Sequence, residues 1–330
     1  MHDPFQTSHL QSANANRRTG HSVRLALLNM LILNAHVEAI HPIRERLLTL
    51  LKDSPCELRV THSAAQAGAW AREAQRRGRG RLIVGGGDGT IHHIVNALEP
   101  PISDLELAVL PLGTGNDFAR SLSLPLDDLA QAVDLALHGL ATPIDLIRMT
   151  ADETTYLVNA ASGGWGGRVA AGVATLEKSR WGPFAYWMTA VGELMEMRPF
   201  DVQLEIDSQV QTASVYAVFV TNGRFVGGGF PIAPAARLDD GWLDITLVPV
   251  LPTLQMLAAG LNFMLWQPWN DPSYGLRCER GRRVRIVTEP EMHFSLDGEP
   301  TRRVELTFEV VPQAMRCVVG PDYSAGNAGA

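Results

Sequence analysis

One short stretch constrains the fold of this chain more than any other: the turn GGGDGT at residues 85–90, called here the first glycine turn. The run at 81–84 before it is typical of a buried strand, and apolar residues recur at helical spacing from Ile91 to Leu98 after it. Glycines let successive backbone N–H groups point inward, and the dipole of the following helix adds partial positive charge there. The turn therefore predicts a site for an anion such as phosphate; the alternative is a tight strand-to-helix turn with a capping Asp or Thr.

A second glycine turn, PLGTGNDF at residues 111–118, follows another apolar run at 107–110. Consecutive βα units of a parallel sheet place such loops side by side at the carboxyl ends of the strands, so both turns are expected to face one cleft. Asp88 in the first turn would repel bare phosphate, but its carboxylate suits a divalent metal that bridges it to phosphate. The pair of turns therefore favours bound phosphate and a metal over a capping role alone.

The chain divides into two parts with different sequence patterns. Between residues 25 and 138, short apolar runs alternate with helical stretches, which predicts an α/β fold with a doubly wound, Rossmann-like parallel sheet. Beyond about residue 150, strand-like segments joined by Gly, Pro and Asp turns predict an antiparallel, β-rich sandwich. We expect a disordered leader over 1–22, a nucleotide-binding domain over 23–150, a β-rich domain over 151–310 and a loose tail over 321–330.

Composition excludes several classes of protein. The formal net charge of −7 provides no basic surface to hold nucleic acid. The three cysteines are odd in number and widely spaced, which favours a reducing compartment, the cytoplasm. Lys52 and Lys178 lie away from both glycine turns, which excludes a Walker A lysine. Arg17 and Arg18 before an apolar run give a weak twin-arginine signal as an alternative, but Asn29 interrupts that run.

An uncharged stretch of 26 residues at 245–270 raises the question of membrane contact. Three prolines interrupt it, and the unbroken part at 253–266 is too short to cross a bilayer. We interpret this part as a core or docking helix, with a shallow membrane-contact helix as the alternative. The aromatic cluster at 181–188 allows the same two interpretations.

The chain contains four motifs that are considered together: GGGDGT at 85–90, PLGTGNDFAR at 111–120, TNGRFVGGGFPIAPAARLDDGWLDI at 221–245 and SLDGEP at 295–300. With these motifs, in this order, the chain resembles the diacylglycerol kinase catalytic-domain superfamily and, within it, the bacterial YegS-like soluble lipid kinases. The resemblance covers roughly residues 25 to 320. It implies transfer of the γ-phosphate of ATP to a lipid hydroxyl with Mg²⁺ as the metal. It also implies that the β-rich domain takes the lipid and that residues 311–320 return to the first domain.

The resemblance assigns roles to residues of the two glycine turns and their neighbours. Asp88, helped by Asp117, would organise Mg²⁺. The nucleotide contacts would be Asn34, Thr61, Gly86, Gly87, Asp88, Gly89, Thr90, Gly113, Thr114, Asn116 and Asp117.

The resemblance also assigns roles in the second half of the chain. Asp297 would take the proton of the lipid hydroxyl, with Glu299 as its neighbour or substitute. A second, structural metal would be held by the Asp240 carboxylate and the backbone carbonyls of Arg237 and Trp242. From the pattern alone, both stretches are also compatible with polar turns built on Asp-Gly.

The sequence departs from the family pattern in two places. Bacterial relatives often carry Asn-Glu where His92 and His93 follow the first glycine turn. Adjacent helix residues diverge by about 100°, so we predict that both histidines lie on the solvated surface rather than binding metal. After the first strand, many relatives have Asn-Pro where this chain has Asn34-Ala35. The resemblance therefore assigns a nucleotide-contact role to Asn34 alone in this loop.

Three functions are compatible with these features. The preferred one is an ATP-dependent lipid kinase for diacylglycerol, phosphatidylglycerol or a related lipid, cytoplasmic and with transient contact with a membrane surface left open. An NAD kinase would share the first glycine turn, but residues 116–120 and 221–245 match lipid kinases better. A non-catalytic lipid-binding protein would not need to retain Asp88, Asp240, Asp297 and Glu299 together. The sequence does not distinguish a monomer from a homodimer.

Overall fold

The computed structural model describes residues 29–78, 80–164, 199–250 and 276–324 of the chain. The leader at 1–22, the aromatic cluster at 181–188 and the predicted helix at 253–266 lie outside the described residues. The helices are α1 (Ile40–Leu51), α2 (Ala64–Arg76), α3 (Asp88–Leu98), α4 (Asp117–Ser121) and α5 (Leu129–His138). The strands are β1 (Asn29–Asn34), β2 (Cys56–Thr61), β3 (Arg81–Gly86), β4 (Ile102–Pro111), β5 (Ala141–Thr150), β6 (Thr154–Leu157), β7 (Ala160–Gly164), β8 (Phe200–Ile206), β9 (Gln209–Thr221), β10 (Leu243–Pro249), β11 (Arg277–Gly281), β12 (Arg283–Leu296) and β13 (Glu299–Val318).

The first strands of the chain form a parallel array with helices on both faces. Strands β2, β1, β3 and β4 lie side by side in that order, and each neighbouring pair is parallel. On one face, Ile32 and Val84 share a core with residues of α2 and α3. On the other face, Leu31 and Ile83 share a core with residues of α1 and α5. Because successive strand residues point to opposite faces, these strands are apolar throughout.

One long strand, β13, joins this array to the rest of the sheet. Its last residues pair in parallel with β4, with Cys317 opposite Leu107, and its first half pairs antiparallel with β12. The described strands therefore form one connected sheet of thirteen, whose main path is β11-β10-β9-β7-β12-β13-β4-β3-β1-β2.

The α/β architecture with a β-rich second half is confirmed, but a parallel sheet that extends to residue 150 is not. The returning end of β13 lies between β4 and β5. It is parallel to β4 but antiparallel to β5, so the parallel array ends at β13. Nor is the β-rich part a separate sheet, since the hairpin of β12 and β13 continues into the parallel array. Antiparallel pairs outnumber parallel ones in the described residues.

The β-rich part has an apolar core of its own. Inward-facing side chains of eight of its strands meet there, among them Leu204, Val218, Ile245, Ile286 and Phe308. This core lies beside the one formed by α2 and α3, and it supports the strands that carry the second half of the site. Among the described residues, no helix combines the length and the apolar character that crossing a membrane requires.

The strand-like segment at 156–161 is interrupted. It forms two strands, β6 and β7, with Val158 and Asn159 between them. The backbone N–H groups of these two residues donate hydrogen bonds to the Asp297 carboxylate. A buried N–H group must find an acceptor, so a side chain distant in sequence replaces a neighbouring strand at this point.

Candidate active site

The two glycine turns lie in direct backbone contact. A Cβ on Gly113 would stand 2.4 Å from the Cα of Gly87, and a Cβ on Gly87 would stand 3.1 Å from the Cα of Gly113. The Leu112 N–H donates to the Gly86 carbonyl at 3.1 Å. Only glycine allows backbones to approach so closely. The turns therefore form one continuous surface at the carboxyl ends of β3 and β4.

Asn34 and Thr61 flank this surface as register partners at the ends of β1 and β2. Asn34 Nδ2 donates to Thr90 Oγ1 at 2.8 Å, which ties the end of β1 to the first turn of α3. Thr61 is buried, and its hydroxyl donates to the Ser63 carbonyl at 2.9 Å. Asn34 thus contacts the first glycine turn, whereas Thr61 supports the start of α2.

Asn116 closes the second glycine turn. Its backbone is left-handed, with φ of 54°, and its side-chain oxygen accepts the Gly113 N–H at 2.9 Å. Its Nδ2 donates back to the Gly113 carbonyl at 2.7 Å. Thr114 lies exposed at the tip of the turn. Asn116 therefore sets the shape of this turn from within.

Asp88 connects the first glycine turn to α4. Its two carboxylate oxygens accept the backbone N–H groups of Asp117 and Phe118, each at 3.1 Å. These groups begin α4, so a residue distant in sequence caps that helix. Burial, with a smaller contribution from the Asp117 carboxylate, raises the pKa of Asp88 to about 6. A nearby cation would therefore favour the charged form of this carboxylate.

The Asp117 side chain binds the loop that contains Gly228 and Gly229, in which the sequence predicted no site residue. Its carboxylate accepts the N–H groups of Gly228 at 3.0 Å and Gly229 at 2.6 Å. Both glycines have positive φ, 87° and 109°, a conformation that lets successive N–H groups converge on an anion. Burial also raises the pKa of Asp117. The glycines at 227–229 were the only signal in the sequence, and they do not indicate which carboxylate they bind.

Asp297 is buried in the turn Asp297-Gly298-Glu299, called here the acidic turn. Its side chain has 0% exposed surface. Its carboxylate accepts three backbone N–H groups, from Val158 at 2.7 Å, Asn159 at 3.1 Å and Ala160 at 2.9 Å. These bonds occupy most of its acceptor positions and leave little of it to meet a substrate hydroxyl. Asp297 therefore anchors the acidic turn to the start of β7.

Glu299 has the opposite environment. Its side chain is 46% exposed, and its Oε1 lies 3.7 Å from the position that a Cβ on Gly89 would take. Gly89 is in the first turn of α3, next to the surface formed by the two glycine turns. Glu299 is therefore the exposed carboxylate of the acidic turn, and it lies beside that surface.

The two histidines of α3 contact the acidic turn. His92 is 6% exposed, and its Nδ1 lies 3.4 Å from Asp297 Oδ2. The His93 side chain is 42% exposed, and its Nε2 lies 3.4 Å from Glu299 Oε1. The prediction of solvated surface is wrong for His92, because the acidic turn covers that side of the helix.

An arginine occupies the second predicted metal position. The Asp240 carboxylate pairs with Arg280, whose Nε also lies 3.1 Å from Asp244 Oδ1. The other Asp240 oxygen accepts the Trp242 N–H at 3.1 Å. A guanidinium thus takes the carboxylate that a metal would need. In this arrangement the Asp240 carboxylate is not free to bind a metal ion, and a role for the carbonyls of Arg237 and Trp242 stays a prediction.

One surface groove of the described residues lies apart from the predicted site. A groove of about 760 Å³ lies between β8, β9 and β12, and none of the predicted site residues lines it. The site is instead defined by hydrogen bonds and by close backbone approach.

Comparison with known proteins matches both halves of the chain. Residues 30–149 match the diacylglycerol kinase catalytic domain, and residues 159–319 match the YegS C-terminal NAD kinase beta sandwich-like domain. A "Probable lipid kinase YegS-like" of Shewanella frigidimarina is 31% identical over 296 residues, which cover 88% of this chain and 94% of the relative. One from Klebsiella pneumoniae is 32% identical over 296 residues, with 89% and 96% covered.

The fold is also found among solved structures. A diacylglycerol kinase from Bacillus anthracis str. Sterne matches with a TM-score of 0.68 at 22% identity, over 89% of this chain and 97% of that one. The molecule therefore has the fold of the diacylglycerol kinase class. Within that class, the chain belongs to the family of YegS-like lipid kinases.

Proposed function

We propose that the protein is an ATP-dependent kinase that phosphorylates a hydroxyl of diacylglycerol, phosphatidylglycerol or a related lipid. The observation that carries the proposal is the position of Glu299, whose carboxylate lies over Gly89 in the first turn of α3. A phosphate at the N-terminus of α3 would lie between the glycine turns and this carboxylate. The relatives are named probable lipid kinases, which supports a lipid acceptor.

The nucleotide phosphates bind the backbone of the two glycine turns. The N-cap of α3 is Gly87, which offers no side-chain hydrogen bond to the first N–H groups of the helix. Those groups are therefore available to phosphate oxygens. Asn34 keeps Thr90 in place beside them. The α4 helix differs, because Asp88 already caps its first N–H groups.

Asp88 and Asp117 fit the role of magnesium ligands. Burial raises the pKa of both carboxyl groups, so both gain from a cation nearby. Mg²⁺ bound there would neutralise charge on the phosphates and bridge them to a carboxylate. Among the described residues, no group of three or more His, Cys, Asp or Glu side chains could hold a metal alone, and Mg²⁺ commonly takes only one or two carboxylates beside phosphate oxygens and water.

Glu299 accepts the proton of the lipid hydroxyl as the hydroxyl oxygen attacks the γ-phosphorus. The bond from the γ-phosphorus to the bridging oxygen breaks, and its electron pair leaves with ADP. Asp297, expected from the sequence to be the base, keeps the acidic turn in place through its three N–H bonds. This division of roles follows from exposure, since a proton acceptor must reach the substrate.

An assay of the purified full-length protein with Mg²⁺ and radiolabelled ATP tests this function. Vesicles of phosphatidylcholine with diacylglycerol, phosphatidylglycerol or ceramide are supplied in parallel, and NAD is supplied in a separate reaction. The proposal predicts label in one of the lipids and none without Mg²⁺. Label in NAD would instead indicate an NAD kinase. Label in no acceptor would indicate a non-catalytic protein and would contradict the proposal.

A further inference from the structure

Polar side chains of α3 attach this helix to the β-rich part of the molecule. Asn96 Nδ2 donates to the Tyr156 carbonyl and Asn96 Oδ1 accepts the Tyr156 N–H, each at 2.8 Å. One turn earlier, His92 and His93 contact the two carboxylates of the acidic turn. The helix that begins at the phosphate-binding surface is therefore tied at several points to the turn that carries the proposed proton acceptor.

The two carboxylates differ in how firmly they are held. Asp297 is fixed by three backbone N–H groups, so His92 adds a contact to a side chain that is already anchored. Glu299 is half-exposed, and its Oε1 lies 3.4 Å from His93 Nε2. Holding a half-exposed glutamate in one rotamer costs side-chain entropy. A defined position for Glu299 therefore requires a partner.

The geometry points to His93 as a positioning residue, whose Nε2 contacts the Glu299 carboxylate and keeps it over the first turn of α3. This inference rests on the proposed function, in which the γ-phosphate and the lipid hydroxyl meet at that place. The contact of Nε2 with Oε1 leaves Oε2 of Glu299 to take the proton. Misplacement of a reacting group by about 1 Å can cost about 100-fold in rate.

His93 is the half-exposed histidine of the pair that follows the first glycine turn. Its imidazole can donate a hydrogen bond. The donor lies next to the carboxylate that the proposed reaction uses. A merely structural role for His93 would instead show itself as a loss of stability.

Two substitutions separate these roles. His93→Gln keeps an N–H donor on a side chain of similar reach, whereas His93→Leu keeps bulk and removes the donor. His138→Leu is the matched control, because His138 also pairs with a carboxylate, Asp134 at 3.0 Å, on the exposed surface of α5. Each full-length variant is assayed with Mg²⁺, ATP and the vesicle lipid that the unsubstituted protein labels best. The kcat, the KM for ATP and the melting temperature are measured.

We expect His93→Leu to lower kcat by about tenfold or more, with the KM for ATP and the melting temperature little changed. His93→Gln should retain most of the kcat, and His138→Leu should match the unsubstituted protein. In a Glu299→Gln background, His93→Leu should have no further effect on kcat, because the group it positions is gone.

Two results would overturn the inference while the proposed function stands. One is unchanged kcat in His93→Leu. The other is an equal loss in the Leu and Gln variants, accompanied by a lower melting temperature. If the unsubstituted protein labels no lipid, the proposed function fails, and the role of His93 fails with it.

Discussion

The side chains of Asp297 and Glu299, separated by one glycine, have opposite environments: the first is 0% exposed and the second is 46% exposed. The turn that joins them explains the difference. Asp297 and Gly298 both have positive φ, 49° and 99°, as in the two-residue loops of tight hairpins. One carboxylate is thereby directed into the protein, and the other lies beside the first turn of α3.

Asp297→Asn should weaken folding more than chemistry. An asparagine has one acceptor oxygen, and its NH₂ group would face an N–H group that Asp297 now satisfies. We expect a loss of about 1 to 3 kcal/mol in the free energy of unfolding, measured with urea. Asp152→Asn, at a side chain that is 86% exposed, is the control and should change little. Unchanged stability with complete loss of lipid labelling would instead make Asp297 the proton acceptor.

Gly113→Ala should separate the two glycine turns. The added Cβ would stand 2.4 Å from the Gly87 Cα, and backbone atoms cannot rotate away. We expect a loss of about 1 to 3 kcal/mol in the free energy of unfolding and weaker binding of Mg-ADP in calorimetry. Thr114→Ala, at the exposed neighbouring residue, should stay within about 0.5 kcal/mol. A Gly113→Ala protein as stable as the unsubstituted one would show that the turns are not in contact.

Asp88 should make the stability of the ligand-free protein depend on pH. Because burial raises its pKa from 3.8 to about 6, the folded state binds a proton more tightly than the unfolded state. The stability that this proton provides is fully present below pH 3.8 and is lost as pH rises through 6. Asp88→Asn has no such loss, so its stability relative to the unsubstituted protein should rise between about pH 4 and 6.

Urea unfolding at several pH values measures this difference. Asp53→Asn, at a side chain that is 88% exposed, is the control and should show a flat difference. A flat difference for Asp88→Asn as well would contradict the raised pKa.

Arg280→Met should destabilise the loop that carries Asp240. It leaves Asp240 and Asp244 without their shared cation, and the buried Asp244 Oδ2 has no hydrogen-bond partner among the described residues. We expect a loss of about 1 to 2 kcal/mol, between the values of exposed and buried ion pairs.

The effect of Mg²⁺ on the melting temperature should distinguish Arg280→Met from the unsubstituted protein. In the unsubstituted protein, Arg280 already neutralises this loop, so the loop should add nothing to the shift in melting temperature when EDTA replaces Mg²⁺. In Arg280→Met, Mg²⁺ should restore part of the lost stability, because the carboxylates are then free to bind it. Arg285→Met, at an exposed pair with Glu305, is the control and should respond to Mg²⁺ as the unsubstituted protein does. Equal responses in all three proteins would contradict a role for Arg280 in place of a metal.

The parts of the site that depend on neighbouring residues were predictable from the sequence. The first glycine turn, the start of α3 and the strand before them have a local pattern of glycine and apolar spacing, and the structure has these elements. The contact of the two turns followed from the rule that parallel strands end at one edge. The break between β6 and β7 was not predictable in this way, because it depends on Asp297, which is distant in sequence.

The parts that depend on long-range packing were not predictable. His92 has the same local pattern as a surface residue, and only the acidic turn, 205 residues later, covers it. The bonds from Gly228 and Gly229 to Asp117 span 111 and 112 residues. The same holds for β13, whose two ends pair with different parts of the sheet. Local periodicity does not encode which distant segment completes a hydrogen bond.

Glu299→Gln tests the central claim most directly. The variant keeps the size and shape of the side chain but cannot take a proton, so kcat for lipid phosphorylation should fall by about 100-fold or more. The affinity for Mg-ADP and the melting temperature should stay close to those of the unsubstituted protein. Glu305→Gln, on the same strand and also exposed, should label lipid normally. A Glu299→Gln protein that labels lipid at the unsubstituted rate would contradict the assignment of Glu299 as the proton acceptor.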